Sequence, residues 1–152
     1  MTRTLTRAWE EILRPMLKRP NRLQVAALCY RTGAHGKEVL MITSRGTGRW
    51  IIPKGWPVEG KDGPASALQE AWEEAGVRSA RISKQPVGEF NYLKRRGHGA
   101  DEPVTTLIFA AEVEALADDY PESHQRTRRW MRPEEAAELV QEPQLQELLR
   151  QL

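Results

Sequence analysis

Leu68-Gln69-Glu70-Ala71-Trp72-Glu73-Glu74-Ala75-Gly76-Val77 carries three carboxylates at spacing i, i+3, i+4 and stops on a glycine. On a helix this spacing sets Glu70, Glu73 and Glu74 on one face, within a turn of each other. Leu68, Ala71, Trp72 and Ala75 fall on the opposite face and are expected to be buried. Like charges this close on one helix repel, at a cost of about 0.2–0.5 kcal/mol per pair. A hard divalent cation held by oxygen ligands offsets that repulsion. Carboxylates with Mg²⁺ in a small protein point to phosphate chemistry.

A Glu-rich helix face taken alone is most often a solvated surface. The upstream residues change that reading. Arg49-Trp50-Ile51-Ile52-Pro53-Lys54-Gly55-Trp56-Pro57 reads as a short apolar strand that ends in a Pro/Gly loop. Asp62-Gly63-Pro64 reads as a helix start, with Asp or Gly as cap and Pro64 at the first helical position. Gly76 suits the helix stop, where a positive φ is wanted. The chain therefore runs strand, phosphate-sized loop, acidic helix, glycine.

This arrangement resembles the signature of the Nudix hydrolases, G-x₅-E-x₇-R-E-U-x-E-E-x-G-U with U aliphatic. Gly55 takes the first position, and Glu70, Ala71, Glu73, Glu74, Gly76 and Val77 take theirs. Lys61 stands where Glu is usual and Gln69 where Arg is usual. An acid and a base are gone together, which reads as the joint loss of a supporting ion pair with the metal-binding face kept. The other reading is a retired active site. The resemblance implies a Nudix-type α/β/α sandwich with a mixed sheet. It implies Mg²⁺ or Mn²⁺ held by Glu70, Glu73, Glu74 and the Gly55 carbonyl, where the cation would neutralise phosphate charge and acidify a water. The general base stays open among Glu70, Glu73 and Glu122, the last in the acidic Asp118-Asp119-Tyr120-Pro121-Glu122 loop.

Beyond that signature, roughly residues 22–150 resemble the diphosphoinositol polyphosphate phosphohydrolases. The likeness rests on Ala26-Ala27-Leu28-Cys29-Tyr30-Arg31, on Thr43-Ser44-Arg45 followed by Arg49-Trp50-Ile51-Ile52-Pro53, and on Arg129-Trp130. Such substrates are strongly anionic and need cations around the site. The candidates are Arg22, Arg45, Lys54, Lys94, Arg95, Arg96 and His98, the last four in a basic hairpin around Gly97. One departure is the loop: Lys54-Gly55-Trp56-Pro57 replaces the Gly-Gly-Gly usual in that branch. Trp56 is equally suited to stacking on a base and to packing, and Trp50 to the core. His35 and His124 read as surface loop residues.

Composition bounds the rest. At 152 residues the chain has a single-domain length with a core of its own. Lys+Arg of 23 against Asp+Glu of 21 leaves net +2, so no overall field favours stable nucleic-acid binding. The partner expected is a phosphorylated small molecule. No apolar run is long enough to span a bilayer, and Thr2 to Arg19 is polar and basic and not signal-like. The lone cysteine, Cys29, reads as a small buried hydrophobe in a reducing cytoplasm. Residues 1–20 form an extension with helical potential around Ala8, Trp9, Ile12 and Leu13, and 21–152 form the hydrolase domain. Strands are expected at 24–30, 38–43, 49–52, 87–94, 104–113 and 128–131, with helices at 64–75, 133–140 and 144–152.

Three functions fit. The first is a metal-dependent hydrolase of phosphoanhydrides in diadenosine or diphosphoinositol polyphosphates. The second is a Nudix enzyme for a nucleoside triphosphate, sugar nucleotide, dinucleotide cofactor or RNA 5′ end. The third is a binding module without turnover, which the intact Glu70, Glu73 and Glu74 argue against.

Overall fold

Val25-Ala26-Ala27-Leu28-Cys29 is apolar at every position because its strand is covered on both sides. This strand, β1 (Arg22–Gly33), runs parallel to β7 (Glu102–Leu116), in register from Arg22↔Val104 to Tyr30↔Glu112. Parallel pairs occur where helices bury both faces. Alternation along β1 sends Ala26 and Leu28 to one core and Val25, Ala27 and Cys29 to the other. The computed structural model describes residues 21–95 and 99–152. The extension 1–20 and its expected helix lie outside the described residues, as do Arg96, Gly97 and His98.

The remaining strands add antiparallel to this central pair. β2 (Gly36–Thr43) folds back on β1 through a turn at Gly33 and Gly36, and Gly36 has φ 113, which favours glycine. β3 (Trp50–Ile51) and β8 (Arg128–Met131) pair with β2. β5 (Val77–Ile82) and β6 (Gly88–Lys94) pair with different stretches of β7. β4 (Lys54–Gly55) pairs with β1 at Ala26 and Val25. The result among the described residues is one mixed sheet of eight strands. Helix α1 (Gly63–Ala75) lies on one face, while α2 (Pro133–Leu139) and α3 (Pro143–Arg150) lie on the other. The α/β/α sandwich expected from the sequence is therefore the fold.

Helix α1 has the expected ends. Asp62 is the cap, accepting from the Ala65 amide at 2.9 Å, and Gly76 closes the helix with φ 70. Its buried stripe differs from the expected one. Ser66, Ala67, Ala71, Glu74 and Ala75 are buried, whereas Leu68 and Trp72 are only partly covered. Small side chains let the helix sit close to the sheet, and that close approach takes Glu74 under with them. Two strands also went unseen in the sequence. Lys54–Gly55, read as loop, is a two-residue strand, and β5 follows the helix directly. β5 is an edge strand in which Arg78, Ser79 and Arg81 face solvent, so its apolar alternation is weak.

Candidate active site

The acidic helix meets β4 at its second half. The Lys54 amide donates to Glu74 Oε1 at 3.3 Å, and the Glu70 carboxylate lies directly over Gly55. The loop after β7 closes the other side. Its Glu122 amide donates to the Glu73 carbonyl at 3.0 Å, and Arg128 Nη1 donates to the Ala75 carbonyl at 2.8 Å. Tertiary pairing thus brings Glu122, distant in sequence, to the end of α1.

These contacts outline a cleft of about 400 Å³. Glu70, Glu74 and Glu122 line its acidic side, and Arg45, Lys54 and Lys94 line it with positive charge. Gln24, Ser44 and Trp56 complete the wall. Gln24 Oε1 accepts from the Tyr92 hydroxyl at 2.5 Å. Burial lowers the pKa of the Lys54 ammonium, and its Nζ sits 4.9 Å from the centre of the Tyr92 ring. Arg45 donates to Gln125 Oε1 at 2.8 Å and stays largely exposed. Arg22 stands at the rim: it stacks 4.1 Å over the Trp56 ring and pairs with Glu102 at 3.3 Å. Arg95 is exposed beyond the end of β6. Arg96 and His98 lie outside the described residues. Trp50 packs partly against the core, and His35 and His124 are exposed.

Arg126 was not among the sequence candidates. Its side chain lines the same cleft and is only 6% exposed. Nε donates to Glu122 Oε1 at 2.9 Å, Nη1 donates to the Thr43 carbonyl at 3.0 Å, and Nη2 lies 3.6 Å from Glu74 Oε2. In sequence it is one arginine in a run with Arg128 and Arg129, and no local signal marks it.

Glu73 is placed apart from Glu70 and Glu74. At 100° per residue, Glu73 and Glu74 diverge on either side of Glu70. Glu74 turns into the cleft, while Glu73 faces an open groove of about 650 Å³ on the other flank of α1. Lys61 and Gln69, the two departures from the signature, line the same groove. Gln69 Nε2 donates to Glu73 Oε2 at 3.0 Å, so the substituted side chain still holds a carboxylate of the helix. Larger as it is, this groove contains no second acid. The smaller cleft, which joins Glu70, Glu74 and Glu122 to cations, is the candidate active site.

The acid pair in the cleft is electrostatically unbalanced. Burial pushes the Glu70 carboxyl up to about 8, with help from its hydrogen bond to Glu74 and the charges of Glu74, Glu73 and Glu122. Burial also raises Glu74, against the pull of Arg126. Burial, their shared hydrogen bond and the neighbouring acids thus favour a proton on this pair, and Arg126 opposes it. Among the described residues, no three acidic, His or Cys side chains stand close enough to hold an ion in their present rotamers. The donor set nonetheless suits a hard cation: Glu70 and Glu74 are oxygen ligands, and glycine at position 55 leaves room for the Glu70 carboxylate against the backbone.

A pH dependence follows from the raised Glu70. The folded state binds this proton more tightly than the unfolded chain does, so the proton stabilises the fold. That contribution is complete at or below the ordinary glutamate range and is lost as pH rises through about 8. The melting temperature in EDTA should therefore fall between mildly acidic pH and pH 9, and excess Mg²⁺ should flatten the decline. Parallel profiles with and without Mg²⁺ would rule this out.

A mixed sheet between helix layers, with an acidic helix facing cations across one cleft, defines a class of site built for anionic ligands. The particular family is shown by comparison. The NUDIX domain model matches residues 22–152, and the chain belongs to the Nudix hydrolase family. Diphosphoinositol polyphosphate phosphohydrolase 3-alpha of Mus musculus is 32% identical over 122 residues, covering 78% of this chain and 68% of that one. The mitochondrial Nudix hydrolase 12 of Arabidopsis thaliana is 31% identical over 117 residues, covering 75% of this chain and 57% of that one. The crystal structure of the C. elegans Ap4A hydrolase superposes with a TM-score of 0.59 at 22% identity, covering 86% of this chain and 95% of that one. That last likeness is one of fold. Among the described residues no helix is long and apolar enough to cross a membrane.

Proposed function

We propose that this chain is a divalent-cation-dependent hydrolase of phosphoanhydride bonds in highly phosphorylated small molecules, with dinucleoside and diphosphoinositol polyphosphates as the substrate class. One observation carries the reading: the adjacent carboxylates of Glu70 and Glu74 share a cleft of about 400 Å³ with Arg45, Lys54 and Lys94. Acids alone repel a polyphosphate, and cations alone bind it without chemistry. The two together suit a ligand whose phosphates reach both a metal and fixed positive charge. Glu70, Glu74 and the Gly55 carbonyl would hold Mg²⁺ or Mn²⁺, with Glu73 joining after turning away from Gln69. The bound cation supplies Lewis acidity at the scissile phosphate. Lys54 and Lys94 bind and orient the phosphate chain, and Arg45 meets it at the mouth of the cleft. Glu122, facing the same cleft, is the candidate to accept the proton of the attacking water. The relatives named as diphosphoinositol polyphosphate phosphohydrolases support this substrate class.

Trp56 favours a second reading. Its ring lines the cleft with Arg22 stacked on it, a surface that would take a nucleobase. A Nudix hydrolase for a simpler nucleoside diphosphate derivative therefore stands as the alternative. Purified protein, assayed for phosphate release with Mg²⁺ or Mn²⁺ against a panel of both classes, decides between them. A cytoplasmic setting goes with either reading. Cys29 is buried, and burial pushes its thiol up to about 12, which leaves it unreactive.

The basic hairpin separates the two classes. Exchanging Lys94, Arg95 and Arg96 for Ala should raise KM for diadenosine or inositol polyphosphates by about tenfold or more, an effect that shrinks as salt rises. KM for ADP-ribose should hardly change. Equal effects on both would make the hairpin a solvated tip.

A further inference from the structure

Arg126 lines the cleft with Glu70, Glu74 and Glu122 and pairs with the last two, and it is neither exposed to solvent nor free to swing. Its three contacts span three elements: Thr43 at the end of β2, Glu74 on α1 and Glu122 in the loop before β8. The Glu122 pairing is the closest, at 2.9 Å with Nε, and Glu122 is itself mostly buried at 18% side-chain exposure. A guanidinium in such a place is a fixed charge whose planar fork is committed to its partners. A buried pair of this kind has lost its hydration, so each partner depends on the other.

We propose that Arg126 is a positioning residue that serves as the resident counter-ion of the carboxylate cluster. It occupies Glu122 and one oxygen of Glu74, keeps Glu122 out of the metal shell, and confines divalent cations to the Glu70 and Gly55 side of the cleft. The inference rests on the proposed cation dependence of the same site. Its physical content is competition: a buried positive charge and a divalent ion cannot both sit against Glu74 and Glu122 at close range without mutual repulsion. The same contacts hold the loop that carries Glu122 against α1, so Glu122 faces the cleft at a set distance from the substrate. Arg126 touches neither substrate nor reacting atoms in this role and acts through Glu74 and Glu122.

Mn²⁺ binding to the intact chain, followed by calorimetry and by the spin-resonance signal of free Mn²⁺, tests the assignment. Arg126→Gln should bind Mn²⁺ about tenfold more tightly, or bind one additional ion, because two carboxylates are released to the metal. Its turnover should nevertheless fall, so affinity for the cofactor and activity move in opposite directions. A residue with only a structural role would weaken both. Arg126→Lys keeps the charge and loses the fork. It should retain the wild-type Mn²⁺ stoichiometry with reduced turnover, and it serves as the test if the Gln variant fails to fold. Glu122→Gln should leave Mn²⁺ affinity within about threefold of wild type, because Glu122 is not a ligand while Arg126 holds it. Unchanged or weaker Mn²⁺ binding by a folded Arg126→Gln protein overturns the inference, as does an altered stoichiometry in Arg126→Lys or the loss of an ion in Glu122→Gln. A wild-type protein that binds no Mn²⁺ overturns the cation-dependent reading of the site as well, which distinguishes the two failures.

Discussion

Glu74→Gln is expected to lower kcat by about a thousandfold, equivalent to about 4 kcal/mol of transition-state stabilisation. The substitution keeps shape and volume and removes one carboxylate charge. It should leave the metal-free fold as stable as the wild type or more so. Burial raises the Glu74 pKa, so ionising this carboxyl costs the folded, metal-free protein stability that a neutral amide does not cost it. Thermal stabilisation by Mg²⁺ should shrink in the same variant. Turnover measured beside melting curves with and without Mg²⁺ separates these effects. Near-wild-type kcat with full Mg²⁺ stabilisation would remove Glu74 from the metal site. Glu73→Gln should also reduce turnover, but by less, since Glu73 starts in the groove with Gln69 and outside the cleft.

Gly55→Ala should be nearly as damaging to catalysis for a different reason. A methyl at this position would lie 2.5 Å from Glu70 Oε2 and 2.6 Å from Oε1, well inside van der Waals contact. The backbone at Gly55 is ordinary strand, so the glycine is needed for space and not for an unusual φ. The obstacle is the tip of a flexible side chain, which can swing away at little cost in stability. What is lost is the carboxylate's position, and kcat/KM should drop by about a hundredfold while the melting temperature moves by only a few degrees. A drop in melting temperature large enough to account for the activity would mean that Gly55 serves the fold instead.

The sandwich was legible because its strongest signals are local. The continuous apolar run at Val25 to Cys29 marks a strand buried on both faces, and Asp62, Pro64 and Gly76 bracket one helix. β5 and β4 were not legible. The first is an edge strand whose exposed arginines break the alternation, and the second is two residues between Pro53 and Trp56 that pair with β1 at a distance. The site divides in the same way. Glu70, Glu73 and Glu74 declare themselves through spacing, because helix geometry is a local property of the chain. Which of them enters the cleft is not local. It depends on how deeply α1 settles on the sheet, and the alanines at 67, 71 and 75 let it settle far enough to bury Glu74 and leave Glu73 on the far flank.

By itself, then, the sequence determined the acidic helix, its caps, the glycine before it and the family to which they belong, since each follows from residues within one or two turns or a short loop. Only the tertiary structure decided the partners of those acids. Arg126 reaches Glu74 across 52 positions and Thr43 across 83, and Arg45 reaches Gln125 across 80. Such contacts arise from the pairing of β2 with β8, and sheet register places residues together without leaving a spacing rule in the chain.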